Sequence, residues 1–217
     1  MTDNLRRYGI RWMYSKTGGN MPKLLKVPLA SAVSFDINGG ATGNNLSVGD
    51  PLKMLSTGYW GLAGGYENAA NAADKVDGIV ANILPFYDSS LGRMRPGTVL
   101  PSSVTYGTNF ERQTFVEVIP TLGQVFEIDA DAATFTTMAT YIDIFGNNAD
   151  HTLAGLTASN QVNPMLHMAA GLGTSTAVWR IIGLSPTQEN QDLTGLYVKL
   201  LVEVNESNAP PFTTTGV

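Results

Sequence analysis

From Val27 onward the chain alternates short apolar or alternating runs with clusters of Gly, Asn, Asp and Pro. The runs predict strands at Val33–Ile37, Leu46–Leu55, Tyr59–Ala63, Val76–Phe86, Thr114–Ile119, Gln124–Ile128, Met138–Ile144, Met165–Met168, Val178–Leu184 and Gly195–Val204. Their connectors, among them Asn38-Gly39-Gly40, Gly49-Asp50-Pro51, Leu122-Gly123 and Asn147-Asn148, supply positive φ or turns closed by their own side chains. In the last strand Leu196, Val198, Leu200, Val202 and Val204 fall on one face, as a half-buried sheet requires. Gly78–Leu84 is nearly all apolar, the pattern of a strand covered on both faces. The one helical competitor, Glu67–Asp74, is Ala-rich but too short to be stable alone and reads as a loop or single turn. Evenly spaced short strands without a long 3.6-residue period predict an all-β chain, a single antiparallel β-barrel or jelly-roll-like domain.

Charge divides the chain differently. Residues 1–26 carry Arg6, Arg7, Arg11, Lys16, Lys23 and Lys26 against Asp3, a net +5; the remainder sets seven cations against seventeen acids, a net −10. This predicts a basic, extended N-terminal arm over 1–26, a barrel over 27–207 and a flexible tail over 208–217, rich in Pro and Thr. A purely solvating arm has no use for Tyr8, Ile10, Trp12, Met13 and Tyr14, so the arm is expected to be ordered by docking onto a partner of opposite sign. Its candidate binding residues are Arg6, Arg7, Tyr8, Arg11, Trp12, Tyr14 and Lys16.

At 217 residues the chain fits one domain plus the arm. Charged residues make up only 14%, so uncharged polar groups must cover much of the surface, as in all-β assembly proteins. The absence of cysteine excludes disulfides, Cys-ligated zinc and thiol nucleophiles. No apolar run approaches the roughly 20 residues that span a bilayer, and no h-region follows the first arginines, so no membrane partner and no secretory signal are expected.

The candidate chemistry is sparse. His151 and His167 are the only histidines, no G-x-S-x-G accompanies them, and both read as structural or solvent-facing. Glu127, Asp129 and Asp131 alternate on one face of an extended segment. Such acids can ligate Ca²⁺ or form a glycosidase pair, and the preferred reading is a solvated strand edge that blocks edge pairing. Asp143, Asn147, Asn148 and Asp150 lack calcium-loop spacing and read as a turn. The glycines around Trp60 match no phosphate-binding pattern and read as a hairpin. Arg93 and Arg95 form a small basic loop, but the acidic body argues against a nucleic-acid surface. No catalytic, cofactor or metal site is therefore expected.

The order of several short motifs resembles a family of tailed-phage virion proteins known as head, capsid or decoration proteins. They are Tyr8-Gly9-Ile10-Arg11, Val48-Gly49-Asp50-Pro51-Leu52, Val76-Asp77-Gly78-Ile79-Val80, Phe126-Glu127-Ile128-Asp129-Ala130-Asp131, Asn147-Asn148-Ala149-Asp150, and the strand pair Trp179–Ser185 and Leu196–Val204. The resemblance spans about residues 8 to 208; the family's glycine–serine segment after the A-D loop is replaced here by Leu156-Thr157-Ala158-Ser159. It implies a non-enzymatic barrel on the outer capsid that clamps neighbouring major capsid subunits, commonly as a homotrimer, located on the phage head. Two rivals stand beside it. One is a receptor- or glycan-binding fibre domain using Tyr59, Trp60, Tyr66, Tyr87 and Trp179. The other is a glycosidase using Glu127 with Asp129 or Asp131.

Overall fold

The computed structural model describes residues 9–30, 45–65, 73, 75–88, 91–97, 99–101, 113–131, 138–153, 164–168, 172, 177–187 and 197–205. In chain order the strands are β1 (Arg11–Ser15), β2 (Leu25–Pro28), β3 (Leu46–Ser47), β4 (Pro51–Met54), β5 (Trp60–Leu62), β6 (Gly78–Ile83), β7 (Phe86–Asp88), β8 (Arg93–Arg95), β9 (Val99–Leu100), β10 (Phe115–Pro120), β11 (Gln124–Asp129), β12 (Asn148–Ala149), β13 (His151–Thr152), β14 (Met165–Leu166), β15 (Trp179–Leu184) and β16 (Lys199–Val204). Among the described residues the one helix is α1 (Met138–Ile142). The fold is all-β, as the alternation predicts. Val33–Ile37, nearly all of Glu67–Asp74, Leu156–Ser159 and the 208–217 tail lie outside the described residues.

One five-stranded sheet runs β1-β11-β16-β15-β12 and a second runs β2-β10-β6-β4-β5, every pairing antiparallel. Two-stranded ribbons β3-β9, β7-β8 and β13-β14 complete the fold. The chain steps from the second sheet into the first at Thr121-Leu122-Gly123, where Gly123 takes φ 71° and Gln124 N donates to Thr121 O. The barrel expectation needs correcting: the described strands form open sheets, not a closed cylinder. The second sheet does curl until its outer strands touch at one point, where Leu29 bridges Trp60 in parallel and Ala30 N donates to Trp60 O at 2.8 Å.

That curl encloses an apolar cluster of Val27, Leu29, Leu52, Trp60, Leu62, Val80, Ile83, Val116 and Val118, with Leu46, Phe86, Leu100 and Leu153 packed in. A second cluster gathers Phe126, Ile128, Trp179, Ile181, Val198, Leu200, Val202 and Val204 from the first sheet with Ile79 and Ile119 from the second. β6 serves both clusters, and a bulge explains how. Glu117 pairs with Asn82 but Val118 pairs with Val80, so Ala81 is the extra residue. The slip places Ile83 and Val80 on one face despite their odd spacing, while Ile79 turns to the other. The prediction of a strand covered on both faces is thereby met over residues 78–80, whereas Ala81 is half-buried and Asn82 exposed.

Four readings change. Leu46–Leu55 is split into β3 and β4 by the Val48-Gly49 turn, and Val76–Phe86 into β6 and β7. Met138–Ile144 is not a strand but α1 and its exit: Tyr141, Ile144 and Phe145 turn inward at helical spacing, Tyr141 and Phe145 meet edge-to-face at 4.4 Å, and Asp143 N donates to Ala139 O. Its β-branched residues mimic a strand, but the buried period is that of a helix. Finally, the boundary at residue 26 falls inside β2, and β1 is the edge strand of the first sheet, so much of the expected arm belongs to the body.

Deleting residues 1–26 removes β1, half of β2 and the buried Ile10 side chain. Emptying the Ile10 site alone costs about 2–5 kcal/mol, so the truncated protein is expected to melt well below the full chain. Circular dichroism on heating checks this; an unchanged melting temperature would mean that β1 contributes nothing to the body.

Candidate functional site

Segments far apart along the chain meet where the N-terminal strand enters the body. Gly9 and Gly49 cross there with left-handed backbones, φ 86° and 93°. A Cβ on Gly49 would stand 2.7 Å from Gly9 Cα, and one on Gly9 would stand 2.9 Å from Gly49 Cα, so no side chain fits at either position. The crossing is laced by backbone bonds: Ile10 N donates to Gly49 O (2.8 Å), Gly49 N to Val80 O (2.8 Å) and Val80 N to Asp50 O (3.0 Å). Three of the motifs quoted above, Tyr8-Gly9-Ile10-Arg11, Val48-Gly49-Asp50-Pro51-Leu52 and Val76-Asp77-Gly78-Ile79-Val80, are thereby brought into one knot. Asp77 extends it, accepting from Met54 N at 2.6 Å while its own N donates to Leu52 O. Burial raises the Asp77 carboxyl above its usual range, against the Met54 N–H and nearby lysines, which lower it.

Beside the crossing lies a cleft of about 320 Å³ bounded by residues 9–12, Val48, Gly49, Ile79–Ala81, Ile119, Glu127 and Asp129. The fourth motif, Phe126–Asp131, thus joins the other three. Its acids are not on a sheet edge, as expected, because β11 lies between β1 and β16 and the side chains of Glu127 and Asp129 are buried. Each has an internal partner. Glu127 sits opposite Arg11, 3.7 Å from its guanidinium, and accepts a short hydrogen bond from Ser185 Oγ. Asp129 sits opposite Lys199, whose Nζ is 3.5 Å away on a side chain with 0% exposure. Asp131 accepts from His167 Nδ1 at 2.5 Å and from Met168 N at 2.9 Å. One face of the first sheet therefore sends Phe126 and Ile128 into the core, and the other carries a ladder of ion pairs. Lys199, Ser185 and Asp50 were not among the candidate site residues, although Asp50 and Ser185 lie in motifs quoted above. Lys199 gives a signal only in hindsight: it occupies the polar phase of the chain's most regular strand.

The predicted arm residues fall into place within this ladder. Arg6, Arg7 and Tyr8 lie outside the described residues. Arg11 pairs with Glu127, Lys16 Nζ reaches Glu203 Oε2 at 2.5 Å, and Trp12 Nε1 donates to Gln124 Oε1 at 2.8 Å while its ring packs on the core. Tyr14 alone of the described aromatics in this segment is exposed, at 44%. The arm's charge thus meets its opposite first within the same chain.

The other candidates are structural. His151 is fully buried against Trp179, and Asp150 Oδ1 accepts from Val178 N while Asn147 Nδ2 donates to Asp143 O, closing the turn. Arg95 pairs with the buried Asp88 at 3.0 Å across the β7-β8 hairpin. Trp60 and Trp179 are core residues and offer no stacking face for a sugar; Tyr59 and Tyr87 are half-buried, and Tyr66 lies outside the described residues. Among the described residues no three His, Asp or Glu side chains gather as metal ligands.

Asp50 is the strained member of the knot. Its carboxyl is 1% exposed, Oδ2 accepts from Ser47 N at 2.7 Å, and Oδ1 has no hydrogen-bond partner among the described residues. Burial raises its pKa well above the usual carboxylate range, only partly opposed by the Ser47 N–H. No family model, curated protein or solved structure matches this chain.

Two outcomes follow from these geometries. Lys199→Ala leaves Asp129 buried without its cation and is expected to cost about 3–5 kcal/mol, whereas the double variant Asp129→Leu/Lys199→Met should recover most of it; urea unfolding of both variants checks this. For Asp50 the folded pKa lies above the unfolded one, so the folded state holds the extra proton. Its contribution to stability is then greatest below the unfolded value and is lost as pH rises through the folded value. The stability of Asp50→Asn relative to the natural protein should therefore grow as pH rises above about 4, the limit set by the ordinary Asp value, and level off above the raised folded value. Parallel melts across that range read it, and a pH-independent difference would contradict the raised value.

Proposed function

We propose that this chain is a head decoration, or cement, protein of a tailed phage. In this reading it performs no catalysis, binds the outer capsid and stabilises contacts between major capsid subunits as a homo-oligomer, a trimer in the resemblance. The observation that carries the reading is the convergence of the resembling motifs. Four segments between residues 8 and 131, weak one at a time, supply the Gly9–Gly49 crossing, its backbone lacing and the acid ladder beside it. These resembling segments meet where the first strand joins the body, and the all-β sheets are compatible with the fold that the resemblance implies.

The internal pairing of the acids favours a binding protein over a hydrolase. A general acid and base must face the substrate with protons to exchange, but Glu127 is engaged by Ser185 and Arg11 and Asp129 by Lys199. Cementing needs no such group. A protein that binds only the assembled shell stabilises it by mass action, in proportion to the logarithm of its free concentration over its dissociation constant.

Mass spectrometry of purified virions of the phage that encodes the chain is expected to find it in a fixed stoichiometric ratio to the major capsid protein. A few copies per particle would place it in the tail or a fibre, and its absence from virions would end the reading.

A further inference from the structure

The exposed apolar side chains are not spread evenly. Of the eleven large hydrophobics that stand exposed among the described residues, five are Tyr14, Met21, Leu24, Leu25 and Leu122, with Met21 at 82%. They belong to β1, β2, the segment between them and the turn that joins the two sheets. Two of them are in one place: Met21 and Leu122 line a groove of about 310 Å³ with Lys23, Ser15, Pro120 and Gln124. Leu25 lies opposite Val118, two residues from Pro120, and Lys16 N donates to Gly123 O at 2.9 Å. Exposed apolar side chains concentrated in one stretch of chain and one turn point to an interaction site.

The exposed cations at its margin are Lys23 and Lys26, with Glu117 opposite Lys26 across the sheet and Lys16 already paired with Glu203. Residues 14–26 hold Lys16, Lys23 and Lys26 and no acid, against the net −10 of the chain beyond them. Lys23 and Lys26 are exposed, and Lys26 Nζ lies 4.6 Å above the Phe115 ring, on the face of β2 opposite to Leu25. An apolar groove with the exposed Lys23 on its wall fits a partner segment that is apolar where it meets Met21 and Leu122 and acidic where it meets Lys23. The same patch on a second copy would oppose lysine to lysine.

Backbone adds a further element. β1 is the outer strand of the first sheet and β2 of the second, so the chain from Arg11 to Pro28 forms an edge of each. Along Leu25–Pro28 no strand covers the outer side among the described residues. An open edge can be answered by a protein strand and not by lipid.

We infer that this corner, centred on Met21, Leu24, Leu25 and Leu122, is the face that docks onto the shell, against a capsid-protein segment that is apolar at its centre and net acidic at its margin. The inference rests on the decoration reading and adds the surface and the chemistry of its partner. It also replaces the arm as a loose tether: β1 is built into the sheet, and the contact lies on the turn and link that follow it.

The test compares the full-length protein with Met21→Glu/Leu24→Glu and, separately, with Lys23→Glu, on heads stripped of this chain. These side chains are exposed, so all three proteins should melt alike, and melting curves confirm that the variants fold. The double variant is expected to lose about tenfold or more in affinity, and Lys23→Glu a smaller factor that shrinks at high salt. Equal binding by the natural protein and the double variant would overturn this inference and leave the decoration reading standing. Failure of the natural protein to bind heads would remove both. Two parallel measurements name the competing occupants. Sedimentation in which the double variant alone becomes monomeric would assign the corner to a second copy. Loss of binding to phosphatidylglycerol vesicles, with binding to heads intact, would assign it to lipid. Either result overturns the shell assignment.

Discussion

At the crossing of Gly9 and Gly49 two backbones pass so closely that neither residue can carry a side chain, and both must hold φ values that other residues resist. Much else depends on that approach. It sets the entry of β1, and so the position of Arg11 opposite Glu127 and of Trp12 beside Gln124. It also positions Val80, whose backbone answers Gly49 and Asp50 while its side chain fills the core of the curled sheet. A contact between main chains, which no hydrophobicity pattern records, therefore aligns the charge ladder with the core.

Charge in this molecule is organised by pairing more than by exposure. Isolated, a buried Lys199 or Asp129 would be costly, and cross-strand register makes the pair tolerable by placing each residue opposite the other. The same register sets Arg11 against Glu127, a weaker pair because half of the Arg11 side chain meets water. Such a ladder specifies alignment: slipping β11 by one residue would turn Phe126 and Ile128 away from the core and drive carboxylates into it.

The strands were legible where one face alternates cleanly. Val198, Leu200, Val202 and Val204 are buried as their spacing predicts. Legibility failed where periodicity was interrupted or local: the bulge at Ala81 serves two cores from one run, and α1 hides a helical period among β-branched residues. Net charge gave the segment 1–26 a separate identity that the structure does not keep, because composition counts cations without showing that Glu127 and Glu203 stand next to Arg11 and Lys16. The site was half legible. Its glycines and acids were noticed as motifs, but their meeting depends on long-range register, and Lys199 was hidden by the apolar strand that carries it.

The joining of β1 to β11 also has a meaning in time. Trp12 and Gln124 are 112 positions apart. On a ribosome adding about 5–20 residues per second, the first strand waits roughly 6–20 s before its hydrogen-bonding neighbour exists. During that interval Ile10 and Trp12 have no sheet to enter, and β16, which flanks β11 on its other side, is made later still. β1, made before either of these strands, thus waits for its neighbour, and the first sheet is completed only after β16 has left the ribosome.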